Sequence, residues 1–137
     1  MLCADKTITV INRSYDADAD DDVYTCHTFS GCSWYEQQIA SASSTGMTWA
    51  KHYKIRIPET AAADVKFYTP NEWQALTASE RAQGFTLAAG DVLLLGSVTD
   101  VATANFAALC ADNDTATVLG YHYNIRAASP HWYVEGA

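Results

Sequence analysis

The chain has 137 residues, of which 49% are hydrophobic and 18% are charged, and its net charge at pH 7 is −8. This length fits a single domain, and the composition excludes an intrinsically disordered chain. The acidic balance argues against a protein that wraps nucleic acid on a basic surface.

The cysteines and the apolar runs bear on the cellular compartment. Cys3, Cys26, Cys32 and Cys110 form no C-x-x-C pair, and their spacing is typical of no zinc site. We therefore expect reduced, mostly buried thiols in a cytoplasmic protein, and neither a metal nor another cofactor. The first residues lack the pattern of a signal peptide, and every apolar run is far shorter than the roughly 20 residues of a membrane span, which predicts no membrane association.

The first two predicted strands enclose an acidic segment. Residues 6–13 and 23–29 have the composition of paired strands. The aspartates between them are too crowded to pack, which predicts a solvated hairpin tip. The D-x-D-x-D start is typical of a calcium loop, but Asp21 replaces the glycine and His27 the glutamate that such a loop needs, so a plain acidic tip or a weak ion trap is favoured. The aspartates are Asp16, Asp18, Asp20, Asp21 and Asp22.

A small polar segment follows the third predicted strand, residues 32–39. Residues 40–46 consist of Ala, Ser, Thr and Gly, which predicts a mobile loop between two strong strands. We expect a neighbouring subunit to order this loop. Its candidate assembly residues are Ser41, Ser43, Ser44, Thr45 and Gly46.

The fourth predicted strand, residues 49–58, alternates between an apolar and a basic face and ends at Pro58. His52, Lys54 and Arg56 form its polar stripe, which concentrates three of the chain's few basic side chains. An ordinary solvated face is the favoured interpretation. The alternative is a contact with an acidic neighbour, such as the aspartate tip of another subunit.

The middle of the chain carries helix signals. Thr69 with Glu72, and Thr77 with Glu80, match capping boxes and predict two helical turns, the first of which begins at Pro70. Residues 65–68 predict a short strand. Residues 92–95 are apolar on both faces and predict a central strand, and residues 103–110 predict another helix.

The last twenty residues predict a closing hairpin. Residues 118–126 and 131–135 alternate with a period of two, and residues 127–130 break the pattern. A four-residue loop there places Arg126 opposite His131 and Ile125 opposite Trp132. We therefore expect Trp132 to be buried against Ile125 and Tyr123.

These elements together predict a mainly β fold, a small β-barrel or sandwich with one or two short helices, in one domain over residues 1–137. No P-loop, G-x-S-x-G, G-x-G-x-x-G or H-E-x-x-H motif is present, so we expect no enzyme and no catalytic residue. The four Trp and eight Tyr leave open a soluble module that binds a small ligand.

Several stretches resemble small structural proteins of tailed phages and prophages. The matching features are a strand ending at Ile57-Pro58, a Gly90-Asp91 turn before an apolar strand, and an ending of the form His-Trp-x-Val-x-Gly, here residues 131–136. The layout of early hairpin, middle loop, barrel strands and closing hairpin is similar to that of head-closure proteins, also called stopper or head–tail adaptor proteins.

This resemblance implies a structural protein of the virion and lends no catalytic residues. Such a protein forms a homo-oligomeric ring at the head–tail interface, contacts portal, adaptor and tail proteins, and lets packaged DNA pass. It would be made in the host cytoplasm. A tail terminator or another minor capsid or tail protein is the alternative within the same class. An acidic tip would face either the DNA channel or a neighbouring subunit.

Overall fold

The computed structural model describes residues 5–137, apart from the side chains of Ser41, Ser43 and Thr48, so Cys3 lies outside the described residues. The barrel strands are β1 Lys6–Asp16, β2 Asp21–Ser43, β3 Gly46–Pro58, β6 Val92–Leu95, β7 Thr115–Asn124 and β8 His131–Gly136. These six strands of the described chain close into a barrel in the order β1, β2, β3, β8, β7, β6. All the pairs are antiparallel, including the closing pair of β6 with β1. The predicted mainly β fold is confirmed, in the form of a closed barrel.

Short elements cover one end of the barrel between β3 and β6. A 3₁₀ helix, Glu59–Ala62, follows β3 directly, and two short strands, β4 Lys66–Phe67 and β5 Gly84–Phe85, form a small parallel pair. Between those strands lie α1 Pro70–Gln74 and α2 Ala78–Ala82. Both predicted capping boxes form. The Thr69 and Thr77 hydroxyls each accept from the backbone N–H three residues later, and the backbone N–H groups of the two threonines donate to the carboxylates of Glu72 and Glu80.

The barrel interior follows from the period of two. Ile55 and Ile57 on β3, Trp132 and Val134 on β8, and Leu93 on β6 point inward and are buried. The strand β6 is apolar on both faces, as predicted. Its outward residues Val92 and Leu94 join Ile11 in a second cluster, which α3 Thr103–Asp112 covers. The Phe106 ring of α3 stacks on Tyr24 with a centroid distance of 4.9 Å.

A buried polar cluster ties β1 to the segment that enters β6. The Asn12 amide donates to the Thr86 carbonyl oxygen at 2.6 Å and to Asp91 Oδ2 at 2.9 Å, and its Oδ1 accepts from the Thr86 N–H at 3.1 Å. Burial raises the pKa of the Asp91 carboxyl, and hydrogen bonds from Asn12 and the Arg13 N–H oppose that rise. The cluster supplies hydrogen-bond partners to groups that would otherwise be unsatisfied in the core.

The strand β2 is continuous from the acidic tip to residue 43, whereas the sequence predicts two separate strands there. Its first half pairs with β1 up to Cys32, and its second half pairs with β3 from Ser33 onward. Gly31, between the two predicted strands, lies in a β-bulge, where two residues of β2 lie opposite one residue of β1. The φ of Gly31 is 71°, a left-handed conformation that glycine adopts without strain.

The closing hairpin forms, but its register differs by two residues from the predicted one. Asn124 pairs with His131 and Tyr123 with Trp132, so the loop runs over residues 125–130. The slip of two keeps Tyr121 and Tyr123 on the predicted face, which is why the alternation alone did not reveal it. The predicted inward position of Leu119 is wrong, because an irregularity between Val118 and Gly120 buries Val118 and leaves Leu119 56% exposed. Trp132 is buried against Tyr123, as predicted, with their rings stacked at 4.8 Å. The expected contact with Ile125 is wrong, since Ile125 lies in the loop and is 61% exposed.

Candidate functional site

The two longest strands extend beyond the barrel as a projecting hairpin, residues 37–52, called here the β-arm. The strand β1 leaves β2 at Cys32, and β8 leaves β3 at Tyr53. Past those points, the described strands β2 and β3 pair only with each other, in an uninterrupted register that ends at Ser43 opposite Gly46. Both outer edges of the β-arm are therefore open to strand pairing.

The β-arm replaces the mobile loop predicted over residues 40–46. Residues 40–43 belong to β2, Gly46 begins β3, and only Ser44 and Thr45 form the turn. Ala40 and Ala42 of this segment are exposed, so their small side chains need no packing partner in the ladder. The side chains of Ser41 and Ser43 lie outside the described residues.

Large apolar side chains project from the β-arm into solvent. Trp49 and Met47 are each 63% exposed and lie on the same side of β3 as the core residues Tyr53 and Ile55. Their cross-strand partners are Ala40 and Ala42, which are too small to cover them. The apolar face of β3 therefore extends past the end of the barrel, where nothing in the described chain covers it.

An ion pair lies at the base of the β-arm on this same face. Lys51 Nζ lies 3.2 Å from Glu36 Oε1, and both side chains are largely exposed. The hydrogen bond and the charge of Glu36 raise the pKa of Lys51. This pair marks the boundary between the enclosed and the open part of the sheet.

The predicted basic stripe lies on the outer face of the barrel wall. His52, Lys54 and Arg56 are half-buried there. The Arg56 guanidinium lies over the Tyr133 ring, 5.0 Å from its centroid, and Lys54 is placed between Tyr35 and Glu135 in the register. The stripe is therefore partly engaged with its own neighbours on β2 and β8.

The aspartates form the predicted exposed hairpin tip between β1 and β2. The Asp18 N–H donates to Asp16 Oδ1 at 3.0 Å, and the Tyr15 hydroxyl donates to Asp20, which has a φ of 50°. The Thr103 hydroxyl of α3 donates to Asp21 Oδ1 at 2.9 Å. Within residues 5–137, no group of three or more His, Cys, Asp or Glu side chains is placed to hold a metal ion.

The structure does not bring the acidic tip and the basic stripe together. Both border β2, but about 40 Å of extended strand separates Asp22 from Tyr35, the neighbour of Lys54. Any contact between the tip and the stripe must therefore join different molecules.

A groove opens at the end of β3 opposite the β-arm. It lies between the 3₁₀ helix and the closing hairpin, has a volume of about 660 Å³, and is lined mainly by apolar groups, among them Ala62, Ala63, Val65, Phe67, Tyr123 and Pro130. The Glu59 side chain lies at its rim, and desolvation together with a hydrogen bond to Glu59 raises the pKa of Tyr123. This apolar concavity is called here the aromatic groove.

Trp132 supports the floor of the aromatic groove. Its ring stacks on Tyr123 and lies 5.2 Å from the Phe67 ring and 5.3 Å from the Phe85 ring, centroid to centroid. The side chain is 3% exposed, and its Nε1–H has no hydrogen-bond partner in the described part of the chain. The closely packed rings make this floor a rigid surface.

Sequence reasoning missed both the β-arm and the aromatic groove. The alternation of residues 49–57 identified the correct face for Trp49 but gave no sign that the barrel ends at Tyr53. The groove joins residues 59–67 to the loop 125–130, and no periodic pattern links those segments.

The remaining expectations concern thiols and membranes. Cys26, Cys32 and Cys110 are free; Cys32 is buried, and the other two are half-buried. Burial raises the pKa of Cys32 to about 12. No helix in residues 5–137 has both the length and the apolar character needed to cross a membrane.

Comparison with known proteins identifies a family. The sequence profile of DUF6751, a family of unknown function, matches residues 3–137, so the chain belongs to that family. No curated protein and no solved structure matches the chain.

Proposed function

We propose that this member of DUF6751 is a structural subunit of a tailed-phage or prophage virion, a head-to-tail connector component of the head-closure type. In this proposal it forms a homo-oligomeric ring through which DNA passes, and it contacts portal, adaptor and tail proteins. The reasons are the sequence resemblance, above all the ending His131–Gly136, and the architecture of a rigid barrel with a projecting arm.

The β-arm is the observation that carries the proposal. Open strand edges and exposed Trp and Met side chains are liabilities in a monomer, because they invite pairing and association. A subunit that assembles gains from both features, since the arm offers its edges and its apolar face to a neighbour. The open groove at the other end of the molecule gives such a neighbour a place to be held.

The charge distribution suits a DNA passage. The net charge is −8, and the aspartate tip is a concentrated source of negative potential. A surface of this sign repels phosphate and lets DNA slide without adhering. Alternatively, the tip binds the His52, Lys54 and Arg56 stripe of another subunit. Substitution of the five aspartates by asparagine distinguishes the two roles, because only the second role requires them for assembly.

The test is to induce a prophage that encodes the chain, with and without an intact coding sequence. We expect the protein in purified particles, located by gold labelling at the head–tail junction. We expect its loss to give tailless heads that lose DNA, whereas loss of a tail terminator gives tails of uncontrolled length. Particles of normal infectivity without the chain would refute the proposal.

A second function is favoured by the aromatic groove. Its volume of about 660 Å³ falls within the roughly 300–1,000 Å³ typical of small-ligand pockets, and its lining is rich in aromatic groups. A soluble ligand-binding module would bind through this groove as a monomer. It would be absent from particles and would show saturable binding of an apolar or sugar ligand.

A further inference from the structure

We propose that the β-arm of one copy docks in the aromatic groove of the next copy, with Trp49 and Met47 against the groove floor. This inference rests on the proposed function and names the contact that builds the ring. The occupant of the groove is therefore a second copy of this chain.

The donor surface is the apolar face of the β-arm. Trp49 and Met47 pair across the strands with the small residues Ala40 and Ala42, so both large side chains project into solvent. Aromatic and Met side chains are enriched at the centres of protein interfaces, where they fill pockets on the partner.

The receptor surface matches the donor in size and polarity. A groove of about 660 Å³ is large enough to take an indole ring together with a thioether chain. The floor is formed by the packed rings of Phe67, Tyr123 and Trp132, which provide an apolar contact for the incoming side chains.

The charges beside the two surfaces are complementary. Lys51 lies two residues from Trp49 on the same face of the β-arm, where it is paired with Glu36 at 3.2 Å, and Glu59 lines the groove. Docking of the indole in this orientation brings Lys51 towards a second carboxylate, an exposed rim contact that affects orientation more than affinity.

The geometry of β3 forbids docking within one molecule. Trp49 is near the start of this strand, and the groove begins where the strand ends at Pro58, so about 30 Å of extended backbone separates them. The contact must join two copies through different surfaces. Such a head-to-tail contact repeats from copy to copy and produces a ring when the rotation closes.

The size of the β-arm is adequate for a specific contact. Residues 37–52 supply roughly half to four-fifths of the 20–30 residues that a standard interface takes from each partner.

The experiment uses one variant in each surface of the full chain. Trp49→Ala disables the arm, and Ala63→Arg blocks the groove; both positions are exposed, so both variants should fold, which far-UV circular dichroism checks. Sedimentation velocity over a concentration series should show self-association of the wild-type chain, weakened at least about 30-fold in each variant. Tyr35→Ala, an exposed aromatic residue outside both surfaces, is the matched control and should associate like the wild type.

Mixing the two variants gives the decisive result. The Ala63→Arg copy retains a functional arm and the Trp49→Ala copy a functional groove, so the mixture should form a one-to-one dimer that grows no further. The inference would be overturned if both variants self-associated as strongly as the wild type, or if the mixture formed no dimer. Either result would leave the virion assignment standing. Failure of the virion assignment alone would show as absence of the chain from particles.

A third outcome also counts against the inference. If Ala63→Arg abolishes binding of an apolar dye such as ANS while self-association is unchanged, the groove is a small-molecule site and the arm docks elsewhere.

Discussion

The burial of Trp132 leads to a quantitative stability prediction. An aromatic side chain of this kind buries about 150–250 Å² of surface, which corresponds to roughly 4–6 kcal/mol of hydrophobic stabilisation. The unpartnered Nε1–H offsets about 1–3 kcal/mol of that gain. The difference is about 1–5 kcal/mol, so we expect Trp132→Ala to lower the free energy of unfolding by about 3 kcal/mol.

The second substitution at this position separates the two contributions. Trp132→Phe retains part of the ring contact with Tyr123 and Phe67 and removes the unsatisfied N–H. The smaller buried apolar surface destabilises the fold, and removal of the unsatisfied N–H stabilises it. We therefore expect Trp132→Phe to lower the free energy of unfolding by about 1 kcal/mol or less.

Urea unfolding followed by far-UV circular dichroism measures both values without depending on tryptophan fluorescence. Repetition at several protein concentrations separates unfolding from dissociation. Trp49→Ala is the control, because Trp49 is 63% exposed, and its removal should change the free energy of unfolding by no more than about 0.5 kcal/mol. Equal effects of the Trp132 and Trp49 substitutions to alanine would refute the packing argument, as would equal effects of Trp132→Ala and Trp132→Phe.

Two further predictions concern buried polar and titratable groups. Burial raises the pKa of Cys32 from 9.0 to about 12. The unfolded chain therefore loses this proton above pH 9 while the folded chain keeps it, and the contribution of Cys32 to the free energy of unfolding falls as the pH rises from 9 towards 12. The stability difference between the wild type and Cys32→Ala in urea should shift against the wild type by about 1.4 kcal/mol per pH unit above pH 9, and a constant difference would contradict this. Asn12→Ala leaves buried partners in Thr86 and Asp91 unsatisfied and should cost about 3 kcal/mol or more in urea unfolding, whereas Asn113→Ala, which removes one exposed bond, should cost less than about 1 kcal/mol. Similar costs for the two asparagines would contradict the role of the polar cluster.

The parts of the fold that depend on local chemistry could be predicted from the sequence. The capping boxes at Thr69 and Thr77 act within one turn, and the structure forms both. Period-two alternation likewise specified which face of β3 and β8 is buried, because that face is decided by neighbouring residues along a single strand.

The parts that depend on pairing over long distances could not be predicted. A two-residue slip of the closing hairpin by itself moves no side chain to the other face, so the alternation could not distinguish Tyr123 from Ile125 as the partner of Trp132. The β-arm exists because β1 and β8 stop at Cys32 and Tyr53, and the sequence of β2 and β3 carries no mark of where a neighbouring strand ends. The aromatic groove could not be predicted either, because it depends on the register of the closing hairpin and on contacts between distant segments.

The continuity of β2 has a mechanical consequence. This one strand starts beside the acidic tip at Asp21 and ends at the tip of the β-arm at Ser43. Because β1 holds its first half and β3 its second, a pull along the strand loads both hydrogen-bond ladders in shear, so many bonds share the load at once and none is peeled off singly. The bulge at Gly31 is the point along this path where the ladder to β1 is interrupted, and it is the place where the strand can flex under tension. A subunit built in this way transmits strain from one end of the molecule to the other along a single backbone.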